Sequence, residues 1–234
     1  VVMAEATILP REEELFRVQA EDTVYAGKHL LIATGSVPIV PPITGLADAM
    51  GKTVITNMEI LDLTEVPEKL VVIGGGVIGL EMACYYQSVG SEVVVVEMLD
   101  HIAGNVDPEI GKRLQNVYEK QGMVFHLSAQ VTEVSDNTVK FVKDGETQTV
   151  EGDYILLACG RRPATAGFGL ENLSLEMERG RILVNDKLET SVPGVYAIGD
   201  VIGGHMLAHV ASREGEVAVN HMLGIDDKMS YAAI

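Results

Sequence analysis

Apolar residues recur along this chain in two alternating rhythms. Short continuous runs at residues 30–33, 70–73, 92–96, 154–158 and 195–198 predict strands, the valine-rich run 92–96 one covered on both faces. Residues 78–89 instead carry helical spacing, with Gly90 placed to stop the helix. A second helix is marked at both ends: Asp107 suits the N-cap, Pro108 the first helical position and Gly122 the stop. Ile110, Leu114, Val117 and Tyr118 form its expected apolar stripe. The period then falls to two. Residues 124–127, 130–134, 138–142 and 147–150 read as strands, with Asp144-Gly145 as a hairpin turn. A hairpin around Arg179-Gly180 follows, then a helix over 207–223 stopped by Gly224. Strand, helix, strand, helix, strand across 70–158 predicts an α/β fold on a parallel sheet.

Residues 36–45 hold three prolines and predict an extended connector at a domain boundary. The segment Ile32-Ala33-Thr34-Gly35-Ser36-Val37-Pro38 also echoes Leu157-Ala158-Cys159-Gly160-Arg161-Arg162-Pro163, since both read Ala-x-Gly-x-x-Pro after a strand. Chance in a short pattern is one explanation; two copies of one nucleotide-binding fold is the other. In the second copy a glycine-rich loop opens at Gly74, 84 residues before Ala158, whereas only 32 residues precede Ala33. If the copies are alike, the first lacks its opening strand, loop and helix. The chain, which starts Val1-Val2-Met3, is then expected to be part of a longer one.

Gly74-Gly75-Gly76-Val77-Ile78-Gly79 fits G-x-G-x-x-G, a weak pattern alone. Here it follows a strand, opens a helix and has Glu97 at the end of the next strand, 23 residues on. That context predicts a dinucleotide site. Gly74 allows the tight turn, Gly76 lets a pyrophosphate approach the backbone, and Gly79 lets the helix pack closely on the sheet. Free N–H groups and the helix dipole would hold the phosphates. Glu97 can accept hydrogen bonds from an adenosine ribose and would repel a 2′-phosphate. Neither neighbour, Val96 or Met98, is basic, so NAD(H) is expected over NADP(H).

Charge removes other partners. The 234 residues include 34 acidic and 17 basic side chains, a net charge of −17, which argues against nucleic acid or an anionic membrane. The longest apolar stretch, residues 70–80, contains four glycines and falls short of the roughly 20 residues a bilayer requires. No apolar stretch precedes Arg11-Glu12-Glu13-Glu14, so no signal peptide is expected, and the glutamates read as a solvated turn. Cys84 and Cys159 lie 75 residues apart, neither a disulfide framework nor a metal spacing. They predict a reducing, cytoplasmic setting and are expected to be small core residues. His205 and His209 could share a helix face, but no third ligand is near in sequence and no metal site is expected. Arg161-Arg162 either reaches a phosphate or is a solvated pair at a strand end.

Taken in order, Ala33-Thr34-Gly35-Ser36, the loop from Gly74 to Glu81, Val94-Val95-Val96-Glu97, Gly160-Arg161-Arg162-Pro163, the stretch from Thr190 to Asp200 and Met206-Leu207-Ala208-His209 resemble the flavin-dependent pyridine nucleotide–disulfide oxidoreductases. The resemblance covers essentially the whole chain and is strongest to the branch that oxidises dihydrolipoamide. It implies a Rossmann-like, three-layer ββα NAD-binding domain with a parallel sheet and an antiparallel meander over residues 41–163. This would be inserted between two parts of an incomplete FAD-binding domain, residues 1–40 and 164–234, which would pack together.

The resemblance also implies roles. Gly74, Gly75, Gly76, Val77, Ile78 and Gly79 would hold the NAD pyrophosphate and Glu97 the ribose. Val131 would contact the adenine side, Gly160 would lie near the nicotinamide, and Glu81 near the nicotinamide–flavin junction. Thr34, Gly35 and Ser36 would line the FAD site, and Asp200 would bind the ribityl chain. Met206, Leu207, Ala208 and His209 would present helix N-terminal N–H groups to the flavin ring, donors that favour a reduced flavin's negative charge. The implied reaction passes electrons from dihydrolipoamide, free or on a lipoyl domain, to a redox disulfide, then FAD, then NAD, in a homodimeric enzyme.

The departures are equally specific. The family's N-terminal FAD glycine loop, its Cys-x4-Cys pair and its C-terminal interface domain with a catalytic His do not occur in these 234 residues. Ala164 stands where the family usually has Asn. A fragment inactive alone is therefore expected. The alternatives are a related flavin NADH oxidase or mercuric reductase, or a non-catalytic module that binds NADH without flavin.

Overall fold

The computed structural model describes residues 1–104 and 106–232. The chain divides into two units: Pro38–Gly160, and the segments Val1–Val37 and Arg161–Ile234 taken together. The division falls three residues before each boundary drawn from sequence; the second falls there because the short strand Arg161–Pro163 pairs with Ser36–Pro38. The two segments that echo each other in sequence are thus neighbours in space.

In the unit Pro38–Gly160, five strands form a parallel sheet in the order Val54–Ile55, Tyr154–Leu157, Lys69–Ile73, Glu92–Val96, Val124–His126. Alternate residues of these strands serve opposite faces. Val71, Ile73, Ile155 and Leu157 pack against Val134, Val139 and Phe141 of an antiparallel sheet made by Gln130–Ser135, Thr138–Lys143 and Glu146–Glu151. Leu70, Val72, Val93, Val95 and Leu156 pack instead on Ala83 and Tyr86 of the helix Val77–Ser88. Burial on both faces explains why these strands read as unbroken apolar runs. The result is the expected α/β arrangement of meander, parallel sheet and helices.

The strand expected at 124–127 is present as Val124–His126, which pairs parallel with Val94–Val96 as the edge of the parallel sheet. The helix Pro108–Lys120 is capped as predicted, the Asp107 carboxylate accepting from Glu109 N–H at 2.9 Å and Ile110 N–H at 3.4 Å. Half of its apolar stripe faces inward: Leu114 and Tyr118 pack against Leu80, Ile102 and Ala103, whereas Ile110 and Val117 are 58% and 49% exposed. The inner edge is Gly111 and Gln115. A Cβ on Gly111 would stand 3.2 Å from the Ile102 carbonyl oxygen, so the bare backbone sets how closely the helix approaches. Gln115 is satisfied there by the Lys112 ammonium and the Glu119 carboxylate.

The other unit opens with an antiparallel sheet that the hydrophobic pattern did not reveal: Ala6–Glu12, Leu15–Ala20 and Thr23–Gly27. Glu13 sits in its first turn with φ 52°, in keeping with a solvated turn. Leu30–Ile32 pairs parallel with Val195–Ala197, and the helix Ala208–Met222 packs nearby through Val217 and Ala218. Ile8, Phe16, Ile32, Leu188, Val195 and Tyr196 share that core. The hairpin of Met177–Glu178 and Arg181–Ile182 turns at Arg179-Gly180 as predicted. Among the described residues, no helix is long and apolar enough to cross a membrane.

Candidate functional site

The glycine loop lies between the strand Lys69–Ile73 and the helix Val77–Ser88, and the protein itself requires two of its glycines. Gly74 turns the chain at φ 109°, and a Cβ there would stand 2.4 Å from the Ala158 carbonyl oxygen. A Cβ on Gly79 would stand 2.2 Å from the Gly74 carbonyl oxygen and 3.2 Å from Val72 and Ala158 side-chain atoms, so the helix can come this close only as glycine. Gly76 is different. Its backbone is extended, and a Cβ would meet nothing within 4 Å. It therefore borders open space, directly ahead of the helix N-terminus. The intrahelical ladder begins with Leu80 N–H to Gly76 O at 2.9 Å, and among the described residues no side chain caps the helix. The N–H groups of Val77, Ile78 and Gly79 remain as the donors an anion would meet.

One donor expected to be free is not. Gly75 N–H donates to Glu97 Oε2 at 2.5 Å, and Gly75 O accepts from Ala103 N–H at 2.8 Å. The other Glu97 oxygen accepts from Leu99 N–H at 2.7 Å. Half-buried Glu97 thus braces the loop from the C-terminal end of the strand Glu92–Val96. The chain then returns beside it, Ala129 N–H donating to Glu97 O at 2.9 Å. Val131, half-buried and opposite Phe141, sits just before a bulge in the next strand. Gly160 is exposed and accepts at its carbonyl from Ile39 N–H at 3.0 Å.

Glu81 lies on the exposed side of the helix Val77–Ser88, at the lip of a groove of about 640 Å³. Apolar Val77, Tyr85, Val106 and Ile110 line it, with Cys84 among them, and Val77 is 68% exposed. Neither cysteine is the buried core residue expected. Cys84 is half-buried and Cys159 is exposed as a residue. The Cys159 sulfur nevertheless lies 3.6 Å from the Ile73 carbonyl oxygen. Desolvation, then the Glu97 carboxylate, pushes its thiol up to about 11, so it stays protonated at neutral pH.

In the other unit, Thr34 Oγ1 donates to Ala164 O at 2.7 Å, and Gly35 O accepts from Ala164 N–H at 2.9 Å. Ser36 Oγ donates to Asp200 Oδ2 at 2.5 Å, joining two residues 164 positions apart that sequence had placed at one ligand. Two partners were missed. Arg161 Nε donates to Ser36 Oγ and its Nη2 to Ser36 O, both at 2.7 Å, so it is neither a solvated residue nor, through these atoms, a phosphate ligand. Glu214, 3% exposed, accepts Gly199 N–H at 2.6 Å and the Tyr231 hydroxyl at 2.8 Å. Nothing in the local pattern marks Glu214, because its partners are distant in sequence. The chain enters the helix Ala208–Met222 through Met206 at φ 32° and Leu207 as N-cap. Leu207, Ala208 and His209 are exposed there, without a capping side chain. His205 precedes the helix and stacks on Tyr231, so it does not share a helix face with His209.

The pyridine nucleotide-disulphide oxidoreductase family matches residues 2–215. A dihydrolipoyl dehydrogenase of Acholeplasma laidlawii is 45% identical over 87% of this chain and 61% of its own length. The mitochondrial dihydrolipoyl dehydrogenase of Pisum sativum is 42% identical over 96% of this chain and 46% of its own. Among solved structures, LpdA of Mycobacterium tuberculosis superposes with TM-score 0.83 at 27% identity, covering 98% of this chain and 51% of that one. The HOCl-induced flavoprotein disulfide reductase RclA of Escherichia coli, as its Cu(II) complex, gives TM-score 0.84 at 27% identity, over 96% and 51%. The chain therefore spans about half the length of most of these relatives, and by sequence and fold alike it belongs to the pyridine nucleotide-disulphide oxidoreductase family.

Proposed function

We propose that the unit Pro38–Gly160 binds NAD(H), that the other unit contributes to an FAD site, and that the whole is the central portion of a dihydrolipoyl dehydrogenase-like oxidoreductase. The observation that carries the first point is the open space at Gly76, facing unbonded N–H groups of a helix whose neighbouring strand ends in Glu97. A pyrophosphate satisfies those donors, and the Glu97 carboxylate favours ribose hydroxyls over a 2′-phosphate. Val77, Ile78 and Gly79 then hold the phosphates, with Gly74 and Gly75 shaping the turn. Val131 faces the adenine side, and Gly160 and Glu81 lie toward the nicotinamide.

Thr34, Gly35, Ser36, Asp200 and the turn from Met206 to His209 form the proposed FAD contacts. Bound FAD supplies a two-electron carrier between a dithiol and NAD. Relatives named dihydrolipoyl dehydrogenase at 42–45% identity favour dihydrolipoamide as the reductant over the substrates of NADH oxidases or mercuric reductases. The thiol chemistry is not carried by the residues in hand: Cys84 and Cys159 are both free, and Cys159 is held as a thiol. This chain by itself is expected to show no lipoamide-dependent NADH turnover.

Calorimetric titration with NADH and with NADPH tests the reading. NADH should bind at least about tenfold more tightly, the scale of one charge-assisted hydrogen bond gained against repulsion. No heat with NADH, or equal affinity for the two, would overturn it.

A further inference from the structure

We propose that Arg161 is a positioning residue for FAD, which sets the direction of the Ser36 hydroxyl and through it the orientation of the Asp200 carboxylate. This rests on the reading of Asp200 as a flavin contact and adds a residue to it.

A serine hydroxyl has one proton to give and two lone pairs to receive. Arg161 Nε donates into Ser36 Oγ at 2.7 Å, and a guanidinium has no acceptor to offer in return. The Ser36 proton must therefore go elsewhere, and Asp200 Oδ2 stands 2.5 Å away. The hydroxyl loses its rotational freedom and becomes a one-way relay from cation to carboxylate. Arg161 Nη2 meanwhile holds the Ser36 carbonyl at 2.7 Å, so one planar fork fixes both the backbone and the side chain of the same serine. The loop on the far side is held independently, through Gly199 N–H on the buried Glu214 carboxylate. With Oδ2 committed to Ser36 and the backbone clamped, Asp200 presents its Oδ1 acceptor in a fixed direction. That suits a polyhydroxyl chain, whose hydroxyls are donors in search of a charged acceptor.

FAD binding, followed by quenching of flavin fluorescence, tests this with the unaltered chain, Arg161→Met, Ser36→Ala and the double variant. If the two residues act through one hydroxyl, each single variant weakens FAD by about tenfold and the double by no more than the larger single loss. Arg161→Lys keeps the charge but cannot serve hydroxyl and carbonyl in one plane. It should restore the melting temperature of the flavin-free chain without restoring FAD affinity. Losses that multiply in the double variant, full recovery of affinity by Arg161→Lys, or FAD affinity unchanged in Arg161→Met would each overturn the role. Failure of the unaltered chain to bind FAD would instead remove the flavin reading, and this role with it.

Discussion

At the scale of single residues, two glycines of the loop meet different surroundings. Gly79 is demanded by packing, whereas a side chain at Gly76 would enter open space. Gly79→Ala drives a methyl into the Gly74 carbonyl and should cost about 1–3 kcal/mol of stability, read from urea unfolding. Gly76→Ala meets no protein atom, so it should leave unfolding unchanged while lowering NADH affinity at least about tenfold. An equal effect of both changes on unfolding would show that the space ahead of Gly76 is not reserved for a ligand. The turn at Gly74 and the close packing at Gly79 were legible from sequence because glycine spacing reports backbone geometry directly. What could not be read was how the polar atoms pair. The hold of Glu97 on Gly75 N–H, the grip of Arg161 on Ser36 and the burial of Glu214 all depend on partners brought together by the fold.

At the scale of elements, end signals proved more durable than stripes. Asp107 followed by Pro108 marks the start of the helix Pro108–Lys120 through a local hydrogen bond that tertiary context does not change. Asp107→Ala should therefore cost about 1 kcal/mol, measurable as a lower urea midpoint with the same slope. The apolar stripe of the same helix held for Leu114 and Tyr118 but not for Ile110 and Val117, because Gly111 and Gln115 supply the closest approach. The sheet of Ala6–Glu12, Leu15–Ala20 and Thr23–Gly27 escaped notice for a related reason. Only Ile8, Phe16 and Ala20 of its residues are buried, too few to impose a period of two. The strands at 69–73, 92–96 and 154–157 were plain because each is covered on both faces.

At the scale of the molecule, the unit Pro38–Gly160 is one continuous stretch with its own cores on both faces of its sheet. Produced alone, residues 38–160 should fold cooperatively and bind NADH with the affinity of the whole chain. A weaker or absent signal in the same titration would show that the other unit contributes to that site. The pairing of Ser36–Pro38 with Arg161–Pro163 means that the chain leaves one body and re-enters it through adjacent doorways. A cassette inserted at such a doorway imposes almost no stretch on its host, since closing a gap between neighbouring strands takes only a few residues. Exchanging the middle body for another compact cassette, or replacing it by a short turn, should leave the host with its own core.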